Sequence, residues 1–466
     1  MLRWNTIDRP LYGRASKSLA ASLVLAFPAA AEPLEPPALE RAGITVTQEQ
    51  IAGGDLSLKE IRRQGRLVFS TPFTAADGYG DGPIDAGEDP IAPGGRPTLQ
   101  GNGTFLRVNG LDGQTCLECH SIISNRSIPA RFGVGGVGGS VTNAMFQPTH
   151  IDVAEADTGF DGRFINPPFL FGSGGVQLLA EEMTAALQQL AAVAQANPGE
   201  DIPLVAKGVS FGSVRYDGGA LDTSAVVGVD ADLVVRPFGR KGEFATVRDF
   251  DLDALQFHFG MQPVEIVGSV DADGDGVVDE ISPGAVSALE IFNTTLEPPF
   301  QENPSPSAAR GSERFAAIGC ADCHRPILET DSRTLAYRLE AAGPVFFRVN
   351  LSRAPAEFAK VRRGGIEVPL FADLKRHDMG AALAESFGSD LDAQFTTARL
   401  WGVADTAPYL HDGRATTLGE AIQLHGGEAQ AAADAFAGLA LEEQQELIAF
   451  LLTLRTPRNP ASDLSP

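Results

Sequence analysis

The sequence predicts a mainly α-helical protein of two domains, with long loops and a few short strands. The 466 residues are roughly two to three times the usual length of one domain. Apolar residues recur at helical spacing in 176–196 and 440–455, whereas apolar and polar residues alternate over 203–248. Glycine and proline number 51 and 31, and this abundance favours long loops between the regular elements.

The first 31 residues have the pattern of a signal peptide. Basic residues precede an apolar run from Leu19 to Phe27, and the alanines at 29–31 form a small-residue cleavage site. The apolar run is too short to span a bilayer. We therefore expect export to the periplasm and no membrane span after processing. A retained N-terminal anchor is the alternative.

The charge balance excludes some partners. The chain carries 36 basic and 60 acidic residues, a formal net charge of -24. A surface this acidic repels phosphate backbones and anionic lipid headgroups. We therefore expect no nucleic acid partner.

A proline-rich segment divides the mature chain. Residues 296–310 predict a linker between an N-terminal domain, 32–295, and a C-terminal domain, 311–466. Ser312 is the predicted N-cap of the first helix after this linker. The N-terminal domain is predicted to contain a helix over 55–70, loops over 72–112 and 121–176, a helix over 176–196 and short strands over 203–248.

The four cysteines carry the strongest chemical signal. They form two CxxC pairs, each followed at once by histidine: Cys116, Cys119 and His120, then Cys320, Cys323 and His324. CxxCH is the attachment motif of c-type haem, in which two thiols add to the porphyrin vinyl groups and the histidine lies under the iron. A four-cysteine zinc site leaves both histidines unexplained, and neither a thioredoxin-type CxxC nor a structural disulfide fits the setting. We therefore predict two covalently bound haem c groups, one in each of two cytochrome c-like domains.

Several further motifs resemble one family. They are TPFTAAD at 71–77, HDMG at 377–380, ARLWG at 398–402, TAPYLHDGRA at 406–415 and HGGEA at 425–429. This set is similar to the di-haem oxidoreductase (putative peroxidase) family, which is related to bacterial di-haem cytochrome c peroxidases and MauG-type enzymes. The resemblance is strongest at the C-terminus and loose over 130–300.

The resemblance implies an enzyme that passes electrons from the C-terminal haem to a peroxide-reactive N-terminal haem. Hydrogen peroxide or another small oxidant would be the substrate, and a small c-type cytochrome or cupredoxin the electron donor. Oxidation of an organic or protein substrate is a variant of the same class. The alternative from a different class is a non-catalytic di-haem electron-transfer cytochrome or haem sensor.

Axial ligands distinguish a relay iron from a reactive iron, because a six-coordinate iron passes electrons and a five-coordinate iron can bind peroxide. His120 and His324 are the predicted proximal ligands. At the position where the relatives place a distal Met-Gly, this chain has His425 followed by glycine. The resemblance therefore implies His425 as the distal ligand of the His324 haem, with His411 and Met379 as alternatives.

No distal ligand stands out for the His120 haem, so an open or water-bound iron is expected there. The histidines at 150 and 258 are interpreted as structural. Peroxide cleavage needs an acid–base group. The segment LAEEM at 179–183 falls where the relatives have their distal acid, which implies Glu182, with Glu181 adjacent. The alternative is a solvated helix face.

Residues 271–280, DADGDGVVDE, resemble a calcium-binding loop. Alternating oxygens can wrap a hard cation, and here they come from Asp271, Asp273, Asp275, Val277 (a backbone carbonyl) and Asp279. The twelfth position is Ser282, so the usual bidentate glutamate would have to be replaced by Glu280 or a distant acid. We expect one Ca2+ here, and a solvated acidic turn is the alternative.

Overall fold

The computed structural model describes residues 36–80, 115–122, 133–134, 143–152, 157–341, 343–385, 389–458 and 460–464. The predicted signal peptide, 1–31, lies outside these residues, as do most of the predicted loop over 72–112 and part of that over 121–176. Among the described residues, no helix has the length and apolar character needed to cross a membrane.

Helices dominate the described chain. They are α1 (Ala38–Arg41), α2 (Gln48–Gly53), α3 (Leu58–Ser70), α4 (Cys116–Cys119), α5 (Ser173–Ala196), α6 (Val247–Phe259), α7 (Val264–Val267), α8 (Pro283–Thr294), α9 (Pro306–Ala317), α10 (Cys320–Cys323), α11 (Leu418–Gln423), α12 (Gln430–Gly438) and α13 (Leu441–Leu451).

The strands are short and form small antiparallel sheets. They are β1 (Ser121–Ile122), β2 (Gly133–Val134), β3 (Asn143–Asp152), β4 (Asp157–Ile165), β5 (Asp201–Ala206), β6 (Val209–Asp217), β7 (Ala220–Asp222), β8 (Phe300–Gln301), β9 (Leu328–Glu329), β10 (Thr334–Tyr337), β11 (Phe347–Asn350), β12 (Glu367–Val368), β13 (Arg376–Asp378), β14 (Gln394–Thr396) and β15 (Leu454–Arg455). In the described chain the largest sheet is β5-β6-β7, and the others are pairs. The predicted mainly α class with a few short strands is confirmed.

Most of the predicted elements are present. The helix predicted over 55–70 is α3, which begins after Ser57 because its side chain and Glu60 form a reciprocal capping box. The helix predicted over 176–196 is α5, and the strands predicted over 203–248 are β5, β6 and β7.

Two local predictions are wrong. Within the loop predicted over 121–176, β3 pairs with β4, from Asn143 opposite Ile165 to Asp152 opposite Asp157. The two extended segments pair because each then satisfies the backbone hydrogen-bonding groups of the other.

The first helix after the linker starts at Pro306 and not after Ser312. Ser305 is its N-cap and accepts a hydrogen bond from the Ala308 N–H, and proline suits the first helical position.

The C-terminal part is built around the crossing of α9 and α13. A Cβ atom on Gly311 would lie 1.8 Å from the Glu446 carbonyl oxygen, so the two backbones are in direct contact. Phe315 packs edge-on against Phe450, with ring centroids 5.3 Å apart. The first and last helices of this part therefore pack against each other, and α9 leads directly into α10.

The proposed division at 296–310 remains a prediction. A large buried cluster includes residues from both sides of this segment, among them Leu179 and Leu370. The Tyr337 and Thr294 hydroxyl groups also form a buried hydrogen bond of 2.8 Å. Any division into two domains therefore needs a closely packed interface.

Candidate haem centres

Each CxxCH motif forms one helical turn that places its histidine beside the paired cysteines. The His120 N–H donates to the Cys116 carbonyl over 2.8 Å, and the His324 N–H donates to the Cys320 carbonyl over 2.9 Å. The four cysteines form no disulfide with one another and are partly buried. The two thiols of each turn therefore lie one helical turn apart, with the imidazole attached directly after them.

A backbone carbonyl orients each of these imidazoles. The Nδ1 atom of His120 lies 2.8 Å from the Pro168 carbonyl oxygen, and that of His324 lies 3.1 Å from the Phe371 carbonyl oxygen. A proton on Nδ1 satisfies each carbonyl and leaves Nε2 as the ligand atom, which is how metal-binding histidines are usually oriented. Burial lowers the pKa of both histidines to about 4, so each stays neutral as a ligand must.

His425 lies opposite His324. The two ring centroids are 6.4 Å apart, and the rings are inclined by 58°. The His425 Nδ1 atom is 2.7 Å from the Ala421 carbonyl oxygen, so its Nε2 atom is also free to bind. Since an imidazole nitrogen binds a transition metal at about 2.0–2.1 Å, two rings on opposite sides of one metal have centroids on the order of 6 Å apart. The pair therefore fits one iron with a histidine on each face.

The other candidates for this iron have different contacts. His411 stacks on Phe395 with ring centroids 4.5 Å apart. The Met379 N–H donates to the Ala393 carbonyl over 2.8 Å. Of the three residues considered from the sequence, the structure pairs His425 with His324.

His377 is a structural imidazolium. Its Nε2 atom is 2.9 Å from Asp373 Oδ2, and its Nδ1 atom is 2.8 Å from Glu428 Oε2. Burial lowers its pKa, but the ion pairs outweigh this effect and raise the pKa to about 10. Because both ring nitrogens are engaged, His377 has no free ligand atom.

Helix α6 provides the surroundings of the first CxxCH. Burial is the main cause of the low pKa of His120, and the charge of His258 lowers it further. Burial likewise raises the pKa of Cys116, and the charge of Asp251 raises it further. Asp251, Leu255 and His258 follow at helical spacing on one face of α6, so this face of the helix is directed towards the first CxxCH. The structural role expected for His258 stays a prediction. The backbone of His150 lies in β3, and its side chain is outside the described part.

The predicted acids on α5 have different environments. Glu182 forms an ion pair with Lys207 Nζ at 2.7 Å and accepts backbone hydrogen bonds from Asp331 and Ser332 at 2.7 and 2.9 Å. Glu181 accepts one hydrogen bond from Gln177, and burial raises its pKa. In the described part of the chain, no hydrogen bond or ion pair of either carboxylate reaches the Cys116–His120 segment.

Two further buried acids, Glu290 and Asp251, respond to the charges around them. Burial raises the pKa of Glu290 to about 7, and Glu181 is among the charges that raise it further. Burial and then Glu290 raise the pKa of Asp251, which accepts hydrogen bonds from the Asn293 amide at 3.0 and 3.2 Å. Asp251 is therefore a buried, protonatable carboxyl whose charge acts on Cys116. Its signal in the sequence is weak, because no motif identifies it.

Trp401 lies between the two chain segments that hold the histidines. A Cβ atom on Gly172, whose φ is +74°, would lie 2.5 Å from the Trp401 ring. Gly172 follows Pro168, whose carbonyl orients His120. Trp401 also belongs to the segment that approaches His324. Burial is the main cause of the low pKa of His324, and a hydrogen bond with the Ala398 backbone partly opposes this effect. The segment 398–401 therefore lies beside the His324 ring. Trp401 is only 2% exposed.

Arg399 follows Ala398, whose backbone acts on His324, and no motif role was predicted for it. It is partly buried, donates to the Pro237 carbonyl over 3.1 Å and has no carboxylate partner in the described part of the chain. Burial lowers its pKa to about 10. A guanidinium without an anion in this position suits a haem propionate. Its place in the motif ARLWG is the signal that could have identified it.

Three residues of the predicted calcium loop come together. One carboxylate oxygen from each of Asp271, Asp273 and Asp275 lies within 4.8 Å of the others. The Val277 N–H donates to Asp275 Oδ1 over 2.7 Å, whereas Asp279 is exposed and has a φ of +55°.

Paired cysteines, oriented imidazoles and the facing His324–His425 pair are suited to haem binding. Comparison with known families agrees: residues 268–454 match the family model described as "Di-haem oxidoreductase, putative peroxidase". This segment is therefore similar to the di-haem oxidoreductase family, and the resemblance seen in the sequence is confirmed. The matched segment contains the second CxxCH, Trp401 and His425.

Two solved structures are similar to the chain. Hydrazine synthase of Kuenenia stuttgartiensis, pressurised with xenon, is 15% identical over 97% of this chain and 100% of that chain, with a TM-score of 0.36. A MauG-like protein associated with microbial copper homeostasis is 19% identical over 47% of this chain and 68% of that chain, with a TM-score of 0.26. No curated protein sequence matches the chain.

Proposed function

We propose that this protein is a periplasmic di-haem c-type oxidoreductase that reduces hydrogen peroxide or a similar small oxidant. A small c-type cytochrome or cupredoxin would supply the electrons. The observation that carries the proposal is the difference between the two histidine sites. His324 faces His425 at the spacing of two axial ligands, whereas His120 faces an α6 surface that carries both an imidazole and a protonatable carboxyl.

The second site would be the electron-transfer site. His324 and His425 would hold its haem on both faces, and Arg399 would neutralise a propionate. Haem supplies one-electron and peroxide chemistry, which no side chain of this protein could supply alone. Two neutral, carbonyl-oriented imidazoles leave no open position for a substrate, so this site suits electron storage.

The first site would be the reactive site. Cys116, Cys119 and His120 would hold its haem from one side. Peroxide cleavage needs a group that takes one proton and returns it to the leaving oxygen. Asp251 and His258 are the titratable groups of α6 that lie near this motif, and we propose that they perform this transfer.

Glu182 remains the acid implied by the family resemblance. Its contacts with Lys207 and two backbone N–H groups favour a structural role, because those contacts already satisfy both of its oxygens. Glu181 remains the alternative acid on the same helix, and burial raises the pKa of its carboxyl.

Trp401 would connect the sites. It packs against Gly172 on the side of the His120 segment and follows directly from the segment beside His324. A buried indole between two haem-binding segments shortens the distance that each electron crosses. Only Trp4, in the predicted signal peptide, is of the same residue type.

The influence of His258 on His120 favours a second candidate function. If His258 bound the first iron permanently, both irons would be six-coordinate and the protein would be an electron carrier or haem sensor. Spectroscopy of the oxidised and half-reduced holoprotein, with peroxide turnover measured alongside, distinguishes the two. A high-spin or peroxide-responsive first haem with turnover supports the enzyme. Two low-spin haems in every redox state without turnover support the carrier.

A further inference from the structure

The acidic loop contains a buried carboxylate that lacks a partner. Oxygens of Asp271, Asp273 and Asp275 converge within 4.8 Å. Asp273 is only 7% exposed, and its buried Oδ2 atom has no hydrogen-bond partner. Since a buried charged oxygen without a partner is costly, this atom points to a missing positive ligand.

A fourth carboxylate, Glu280, lies at the end of the loop, outside the group of three that converge within 4.8 Å. Glu280 is 7% exposed, and the charges of Asp273, Asp275 and Asp271 act on its carboxyl. Its Oε2 atom accepts a hydrogen bond of 2.6 Å from the Gln262 N–H. A Cβ atom on Gly78 would lie 2.2 Å from the same oxygen, so Glu280 is fixed between two other segments.

The Gln262 side chain adds a neutral oxygen. It is 1% exposed, and neither Oε1 nor Nε2 has a hydrogen-bond partner. Burial raises the pKa of Asp273, and the Gln262 amide, whose N–H group is directed towards this carboxyl, partly offsets this effect. Rotation of the amide by half a turn would direct its oxygen to a cation held by Asp273.

No basic side chain in the described residues forms an ion pair with any of the four carboxylates, Asp271, Asp273, Asp275 and Glu280. Converging carboxylates of this kind repel one another and lose hydration on burial, so they need a cation. Several oxygen donors and no nitrogen or sulfur donor suit a hard ion, and a flexible, many-ligand site favours calcium over magnesium.

We propose that Asp271, Asp273, Asp275 and Glu280 bind one calcium ion, with the Gln262 side-chain oxygen as a further ligand. Glu280 then takes the role that Asp279 would have in a simple loop site. Because Glu280 also contacts Gln262 and Gly78, the ion joins the 271–280 loop to the segment after α6 and to the segment after α3.

The test is calcium titration of the full-length holoprotein after chelator treatment, followed by calorimetry and thermal unfolding. We expect one calcium ion per chain and a higher unfolding temperature with calcium than with the chelator. Glu280→Gln and Asp273→Asn should each weaken binding by at least the roughly 10–100-fold that loss of a supporting residue costs a metal site. Asp279→Asn is the matched control and should bind as the wild type does.

The proposal is overturned if the wild-type holoprotein binds no calcium at millimolar concentration, a test that needs no variant. It is also overturned if Asp279→Asn loses as much affinity as Glu280→Gln, since the loop alone would then form the site. Unchanged haem absorption in each variant verifies that it has folded.

Discussion

Replacement of Gly311 by alanine tests the helix crossing that supports the second haem site. The added Cβ atom would lie 1.8 Å from the Glu446 carbonyl oxygen, 2.5 Å from its carbon and 3.0 Å from the Leu447 nitrogen. These are backbone atoms, so no side chain can rotate away and α9 must separate from α13. Alanine gains about 1 kcal/mol of helix propensity. Overpacking of this kind typically costs about 1–3 kcal/mol, and the severe overlap indicates the upper end or beyond.

We therefore expect Gly311→Ala to lower the free energy of unfolding by about 2 kcal/mol or more net. Denaturant unfolding of the holoprotein, followed by circular dichroism and haem absorption, measures this change. Gly419→Ala is the matched control, because Gly419 also lies in a helix and its added Cβ would meet no atom within 4 Å. That variant should be as stable as the wild type or more so. Equal stability of the two variants would refute the close crossing.

The remaining predictions concern the two sites. His425→Ala should convert the second haem from low-spin to high-spin and shift its potential, while the electron paramagnetic resonance signal of the first haem stays unchanged. The same spin change in His411→Ala, with none in His425→Ala, would contradict the assignment. Trp401→Phe should keep both potentials but slow electron transfer between the haems, measured by stopped flow, by roughly tenfold, which corresponds to about 1.4 kcal/mol of barrier. Asp251→Asn should reduce peroxide turnover by ~10²–10⁴-fold at unchanged haem content. Glu182→Gln should leave peroxide turnover nearly intact. A hundredfold loss of turnover in this variant would instead identify Glu182 as the acid–base group.

Local patterns predicted the parts of the site that lie within a few residues of one another. CxxCH specifies two thiols and an imidazole through covalent spacing alone, and the structure places each motif on one helical turn. His425 was implied by the family resemblance. Without that resemblance its pairing with His324, about one hundred residues away in the sequence, could not have been predicted. Helix α5 was predicted because its apolar residues recur over many turns.

Contacts between distant segments could not be predicted in this way. The packing of Trp401 on Gly172 joins residues with no shared pattern, and a lone glycine does not reveal which side chain covers it. The same holds for Asp251 and His258, whose relevance depends on which face α6 turns towards Cys116. Glu182 matched a family position, but Lys207 and the 331–332 backbone, which bind its oxygens, come from separate segments.

The mass of the denatured holoprotein, purified from a host that attaches haem to cytochromes c, decides whether this chain is a di-haem cytochrome. We expect the mass of the polypeptide plus two haems, with one haem on the peptide that contains Cys116 and Cys119 and one on the peptide that contains Cys320 and Cys323. A protein that carries one haem or none, or in which these cysteines are joined as disulfides, would contradict it.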